Sequence, residues 1–310
     1  MSFDTGALSP YIEQEDFDIM LKAQTDGRTA SLIDRQVGVK GTTAMHFMTT
    51  SVTLQDGSCS RTALDTTAFT DKNVTVGDIA VHENLCTKDL NGFWLQKKVA
   101  KGAAGEEVVP GEIESLYVLD KMNTLSNVLE VADWQGDTSS GTANLQKYDG
   151  LIKLIDAGSP VNGNPNGITV ATGITEANII SILQGMYLLI PENVLNESNM
   201  TIFLGQDLFR LYQMALVNAN LFNYVSNEDT MTTKLFGTNV TIEGVNGLNG
   251  TDRIFATQTS NLLIVMDGDS DEDNWDMWYS KEDKINKFDV VFKRGTGVRF
   301  EDEVVEFTLV

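Results

Sequence analysis

The sequence predicts an α+β fold in which β structure brackets a helical middle, and three observations carry that prediction. AMHFMTTSVTLQ (44–55) and NVTVGDIAV (73–81) alternate apolar and polar residues, as strands do. GEIESLYVLDKMNTLSNVLEVADW (111–134) repeats apolar residues at helical spacing. FDVVFKRGTGVRFEDEVVEF (288–307) returns to alternation around a Gly-x-Gly that reads as a turn.

Taken in order, residues 1–42 are acidic and weakly patterned, with one short helix expected near Phe17–Ala23, and read as an extended arm. Residues 43–110 form a β-rich region. At its end HENLCTKDLNGFWLQKK gathers Leu85, Leu90, Phe93 and Trp94 on a short helix, and KKVAKGAAGEEVVPG is a loop closed by Pro110. Residues 111–159 hold the clearest helix. Val118, Met122, Leu125, Leu129 and Ala132 recur at spacings of four and three, and Glu112 and Glu114 sit in the first turn, where the helix dipole favours them. NLQKYDGLIKLIDAG follows as a second helix stopped at Gly158.

Residues 160–266 change to α/β style. TEANIISILQGMYLLIP is a helix with Thr175 as its N-cap and Pro191 past its end. NMTIFLG is a buried strand, QDLFRLYQMALVNANLF an amphipathic helix, and NVTIEGV, RIFATQ and NLLIVM are strands separated by Asn-Gly turns. Residues 267–310 return as an acidic stretch and a β ribbon to the first module. The chain stops in this strand-like pattern, which needs a covering partner from this chain or another copy.

The charge is −22, from 22 Lys and Arg against 44 Asp and Glu. Such a surface disfavours free nucleic acid and anionic membrane, and it opposes packing many copies unless salt or complementary patches intervene. The opening residues carry no apolar run and predict no secretory signal, so the chain reads as made in a cytoplasm. The longest apolar runs, such as LLIVM at 262–266, are too short to span a bilayer. His46, Cys59, His82 and Cys86 are four potential zinc ligands, with His82-x-x-x-Cys86 on one helix face, but no C-x-x-C knuckle accompanies them. They read as buried free cysteines beside incidental histidines.

DGDSDEDNW places Asp267, Asp269, Asp271 and Asp273 on alternate residues, yet Glu272 and Trp278 occupy the places a calcium loop reserves for Gly and Glu. It reads as a solvated acidic loop. No nucleotide-binding loop or nucleophile elbow occurs, and two histidines leave few ways to build a catalytic couple. The sequence predicts no enzyme, cofactor or metal. Two basic groups remain, Lys97, Lys98 and Lys101 in the loop and Lys293, Arg294 and Arg299 on the ribbon. On so acidic a molecule they are candidate sockets for acids of another copy.

The order of arm, β excursion, long helix, α/β insert and β return resembles the major capsid proteins of tailed phages, with the Hong Kong 97 phage fold. LQDGSC (54–59), NLCTKDL (84–90), DWQGDTSS (133–140), YDGLIKLI (148–155) and FKRGTGVRFEDEVVEF (292–307) are similar to strings in capsid proteins of phages of Bacteroidetes hosts, the crAss-like group included. The resemblance covers about residues 45–310 and implies five parts. These are an N-terminal arm, an extended loop within 43–110, a spine helix in a peripheral domain, an axial domain at 160–266, and a ribbon completing the peripheral domain. It implies a structural shell subunit that self-assembles around double-stranded DNA, with portal, scaffold and cement proteins as partners. The packaged DNA would be touched only weakly. A tail or decoration protein, or a cytoplasmic ligand-binding protein or enzyme, is the competing expectation.

Overall fold

The computed structural model describes residues 27–55, 57, 64–86, 111–195, 199–221, 231–268 and 275–310, and the side chains of 111–116 lie outside that description. Two sheets and a hairpin are arranged around one long helix. The chain begins with α1 (Thr29–Leu32) and β1 (Asp34–Gln36), then the paired strands β2 (Thr42–Ser51) and β3 (Thr66–Thr75), then β4 (Gly77–Leu85). Helix α2 (Gly111–Gln135) has 25 residues, and at 1.5 Å per residue it is a rod of about 37 Å. Helix α3 (Leu151–Ala157) and the short β5 (Val161–Asn162) lead into α4 (Ile179–Leu189), α5 (Glu192–Leu195), β6 (Met200–Gly205), α6 (Gln206–Asn218), β7 (Thr232–Lys234) and β8 (Thr241–Val245). A 3-10 turn at Asn246–Leu248 precedes β9 (Ile254–Gln258), β10 (Leu262–Met266), β11 (Trp275–Ser280), β12 (Ile285–Val298) and β13 (Val305–Phe307).

The five-stranded sheet runs β1-β10-β12-β11, with β4 on the far side of β12. Its centre is β12, which pairs antiparallel with β11, β4 and β10 in succession along its 14 residues. Alternation then sorts the side chains: Phe288, Val290 and Phe292 are buried with Val118, Leu129 and Ala132 of α2, so the helix lies across this face.

The six-stranded sheet runs β5-β13-β9-β6-β8-β7. Its central strand β6 is buried at every position, which is why MTIFLG reads as a continuous apolar run. Ile202 and Leu204 point into a core with Ile179, Leu183 and Met186 of α4 and Phe209 and Tyr212 of α6. Phe203 points the other way, joining Phe255, Trp134, Leu151, Ile155 and, from the first sheet, Leu262, Ile264 and Val298. That second core bonds the two sheets through the end of α2.

Several expectations change. Residues 29–36 are built into the body, with Ile33 buried and β1 paired parallel to β10, so an arm of 1–42 is too long. The helix expected near Phe17–Ala23 lies outside the described residues. His82 to Leu85 belong to β4 rather than to a helix, because their partners are β12 residues: Leu85 faces Asn286 and His82 faces Asp289. On a strand, His82 and Cys86 do not share the one-turn spacing that the zinc reading needed, and Cys59 lies outside the described residues. Helix α3 starts only at Leu151, since Gly150 is extended and donates to Gly136 O at 2.8 Å, docking the 137–149 loop on the end of α2. Helix α4 starts after Asn178; that side chain accepts from Thr175 N at 2.7 Å and so closes the preceding turn.

Gly295-Thr296-Gly297 is no turn. It is continuous β12, paired with Val265, Ile264 and Leu263. The glycines answer to the end of β3 crossing over the strand: a Cβ on Gly295 would lie 2.4 Å from Thr75 O. The ribbon also divides. β12 belongs to the five-stranded sheet, but β13 crosses to the other one, pairing antiparallel with β9 and parallel with β5.

Candidate assembly surfaces

Among the described residues, the hairpin β2–β3 has little support from the rest of the molecule. It holds ten register pairs, from Thr42 opposite Thr75 to Ser51 opposite Thr66, and extends about 33 Å at strand rise. Its sequence explains its persistence as a ribbon. Threonines recur on both strands, β-branched residues suit strands, and hydroxyl pairs cross between them: Thr42 with Thr75 at 3.0 Å and Ser51 with Thr66 at 2.7 Å. His46 Nδ1 lies 2.6 Å from Asp71 Oδ1 on the opposite strand.

Only the base is anchored. Val74 is buried with Leu263 and Val265, Phe47 meets Phe300 edge-on at 5.0 Å, and Lys72 donates to Val298 O at 2.6 Å and to the Glu301 carboxylate. Past Phe47 the ribbon is exposed on both faces, and it carries apolar side chains there. Met48 and Phe69 are opposite partners yet 65% and 72% exposed, and Leu54 is 95% exposed. A two-stranded ribbon is marginal in water without a covering surface, and large exposed apolar side chains gathered in one place mark an interaction site. Other exposed apolar side chains lie on the helices of the six-stranded sheet: Leu188 on α4, and Met214 and Val217 on α6.

The candidate basic sockets fare differently. Lys97, Lys98 and Lys101 lie outside the described residues. Lys293 is half-buried, donating to Lys40 O at 2.9 Å and 3.2 Å from Asp78. Arg299 reaches Asp34 at 2.7 Å and the Ser260 carbonyl. Arg294 is not a surface residue at all: it is 2% exposed and forms a two-pronged pair with Asp133, Nε to Oδ1 at 2.9 Å and an Nη to Oδ2 at 2.8 Å. Neighbours on a strand point to opposite faces, so three cations close in sequence are not one patch, and Arg294 faces α2.

Sequence reasoning missed the polar joint that Arg294 belongs to. Tyr148 donates to Asp133 at 2.7 Å, so helix, loop and strand share one carboxylate. Burial pushes the Tyr148 hydroxyl well above its ordinary range, the Asp133 charge adds to the rise, and Arg294 opposes it. One turn earlier, Glu130 accepts from the backbone of Arg28 and, at 2.9 Å, of Asn246, tying the N-terminal segment and the 3-10 turn to α2. Burial raises the Glu130 carboxyl above the usual range, with the backbone donors of Arg28, Asn246 and Gly247 pulling against it. A signal was present: DW at 133–134 interrupts an apolar helix face with an acid one would expect in water.

No family model matches the sequence, and no curated protein matches it. Solved structures do match. The capsid of Myoviridae Phage XM1 aligns with a TM-score of 0.62 at 12% identity, over 97% of this chain and 98% of that one. The capsid structure of Cyanophage P-SCSP1u gives 0.59 at 9% identity over 99% and 95%, and the cyanophage A-1(L) capsid asymmetric unit 0.59 at 11% over 96% and 97%. At these identities the likeness is one of fold, and it spans the whole length on both sides. The chain has the Hong Kong 97 phage-type capsid fold.

Proposed function

We propose that this chain is the major capsid protein of a tailed phage, a subunit whose activity is to pack against copies of itself in an icosahedral shell enclosing double-stranded DNA. The observation that carries the proposal is the hairpin, an apolar-bearing ribbon that the described residues of its own subunit leave uncovered, on a fold shared with phage capsids along nearly its full length. In this reading β2–β3 is the extended loop laid over a neighbour, α2 is the spine, the five-stranded sheet is the peripheral domain, and the six-stranded sheet with α4 and α6 is the axial domain. Lys293 and Arg299 remain candidates for contact with a neighbour's acids, as do Lys97, Lys98 and Lys101. Portal and scaffold proteins are the partners this reading implies, with cement proteins an optional addition, and the host cytoplasm is the place of synthesis it implies. The charge of −22 supports an inner wall that holds packaged DNA weakly; tight retention of duplex DNA by empty shells at moderate salt would argue against that.

The test is electron microscopy of the purified protein across salt, beside the double variant Met48→Glu/Phe69→Glu. Wild-type protein is expected to form closed particles or hexameric and pentameric rings, more of them as salt screens the charge. The variant is expected to stay unassembled while its unfolding free energy falls by no more than about 1 kcal/mol, because both side chains face water in the subunit and the cost is the repulsion of two like charges on opposite strands. Open tubes would move the chain to another part of the virion. Variant particles indistinguishable from wild type would remove the hairpin from the interface.

A further inference from the structure

A second polar cluster ties the terminal strand to the body, and its charges do not balance. Glu306, at the middle of β13, is 7% exposed. Arg253, in the turn before β9, approaches Glu306 Oε1 at 3.2 Å and donates its other Nη to Asp156 of α3 at 2.8 Å. The approach to Glu306 lacks hydrogen-bond geometry, and Oε1 is a buried acceptor without a hydrogen bond. One guanidinium thus serves two carboxylates, and with both ionised the triad keeps one uncompensated negative charge.

Among the described residues, no other charge from the packed elements offsets it. β5 places Asn162 and β9 places Phe255 in register with Glu306, and α4, which packs near β13, has no charged residue in its sequence IISILQGMYLL. Asp156 is the second carboxyl of the group, gathered beside Glu306 by the guanidinium that both approach. A buried charge without a partner is costly, whereas a proton shared between two carboxyls neutralises the triad and supplies the missing hydrogen bond.

We propose that Glu306 and Asp156 share a proton in the folded subunit, making the Arg253–Asp156–Glu306 triad a proton-dependent latch that fastens β13 to α3 and β9. Burial pushes the Glu306 carboxyl up to about 7; Arg253 pulls it down and Asp156 adds to the rise. The sign follows from that direction. An acid whose folded value lies above its unfolded value binds its proton more tightly in the fold, so the latch is intact below the ordinary carboxylate range. It weakens as pH rises above that range and is lost as pH passes through about 7. The latch belongs to a single subunit and does not depend on the shell reading.

Thermal unfolding of the full chain tests it, comparing wild type with Glu306→Gln from about pH 5 to about pH 8. The amide mimics the protonated carboxyl. The two melting temperatures are expected to coincide at the acid end, and the variant to melt several degrees higher at the alkaline end. A difference that does not change with pH overturns the proposal. Should Glu306→Gln fail to fold, ¹³C carboxyl titration of Glu-labelled wild-type protein decides. One glutamate titrating near neutrality, moved downward by Asp156→Asn, supports the latch. The absence of any glutamate near neutrality that responds to Asp156→Asn overturns it.

Discussion

Replacing Arg294 with alanine is expected to destabilise the subunit by about 3–5 kcal/mol, because it leaves Asp133 buried with only the Tyr148 hydroxyl for company. Against a total of about 5–15 kcal/mol for a typical fold, that is enough to send much of the protein to aggregates. The loss comes from the stranded charge, so removing both charges should be far milder. Arg294→Met with Asp133→Leu is expected to recover most of the stability in urea titrations, since well-packed apolar replacements of a buried ion pair are often neutral or better. A single variant as stable as wild type, or a double variant as damaged as the single, would show that the pair is not what joins α2 to β12. The prediction also separates fold from assembly: Arg294 variants should fail before any neighbour is met, while the hairpin variants should fold and then fail to associate.

Arg294 also shows where the sequence was legible and where it was not. The long helix, the buried strand MTIFLG and strands such as LLIVM declare themselves through local periodicity, and each lies close to its expected place. What periodicity could not convey is which strand crosses which. RGTGVR looks like a turn because its glycines are conspicuous; they are there because Thr75 and Val76 pass directly over β12. HENL looks helical when it is read together with CTKDLNGFWLQKK, and it becomes a strand only when β12 lies beside it, more than 200 positions later. The terminal ribbon reads as one unit because nothing local marks that β13 leaves for the other sheet. AMHFMTTSVTLQ coincides with β2, but NVTVGDIAV, expected as one strand, straddles the end of β3 and the start of β4, and the hairpin's role stays hidden in the sequence because nothing local marks Met48 and Phe69 as exposed. The basic cluster failed for the simplest reason, that alternation sends Arg294 inward while Lys293 stays near the surface.

Trp134→Ala is the other change expected to be severe, at about 3–5 kcal/mol. The indole is 0% exposed, lies 5.5 Å from the Phe203 ring and 5.6 Å from the Phe255 ring, and donates Nε1 to Thr29 Oγ1 at 2.8 Å. It therefore touches the six-stranded sheet, the end of α2 and the N-terminal segment together. Gly247 packs so closely that a Cβ there would sit 2.3 Å from the indole, so the surroundings have little freedom to close over the cavity. Trp134→Phe keeps most of the contact area and loses the hydrogen bond, and about 1 kcal/mol is expected for it. The ratio of the two costs, read from denaturation midpoints at constant slope, reports how much of the joint is packing and how much is polar.

The position of β12 has a consequence for synthesis. β4 and β10 flank this strand, β11 extends along it, and α2 lies on its face, yet it is made after all of them. Until residues 285–298 leave the ribosome, β4 has no partner among the described strands and the apolar face of α2 has no sheet to lie on. Closing such distant pairings is slow, because the loop entropy is lost before the contacts form. A growing chain thus holds an unfinished five-stranded sheet until that strand emerges. Under the shell reading proposed above, any contact that uses this sheet forms only once β12 has been made.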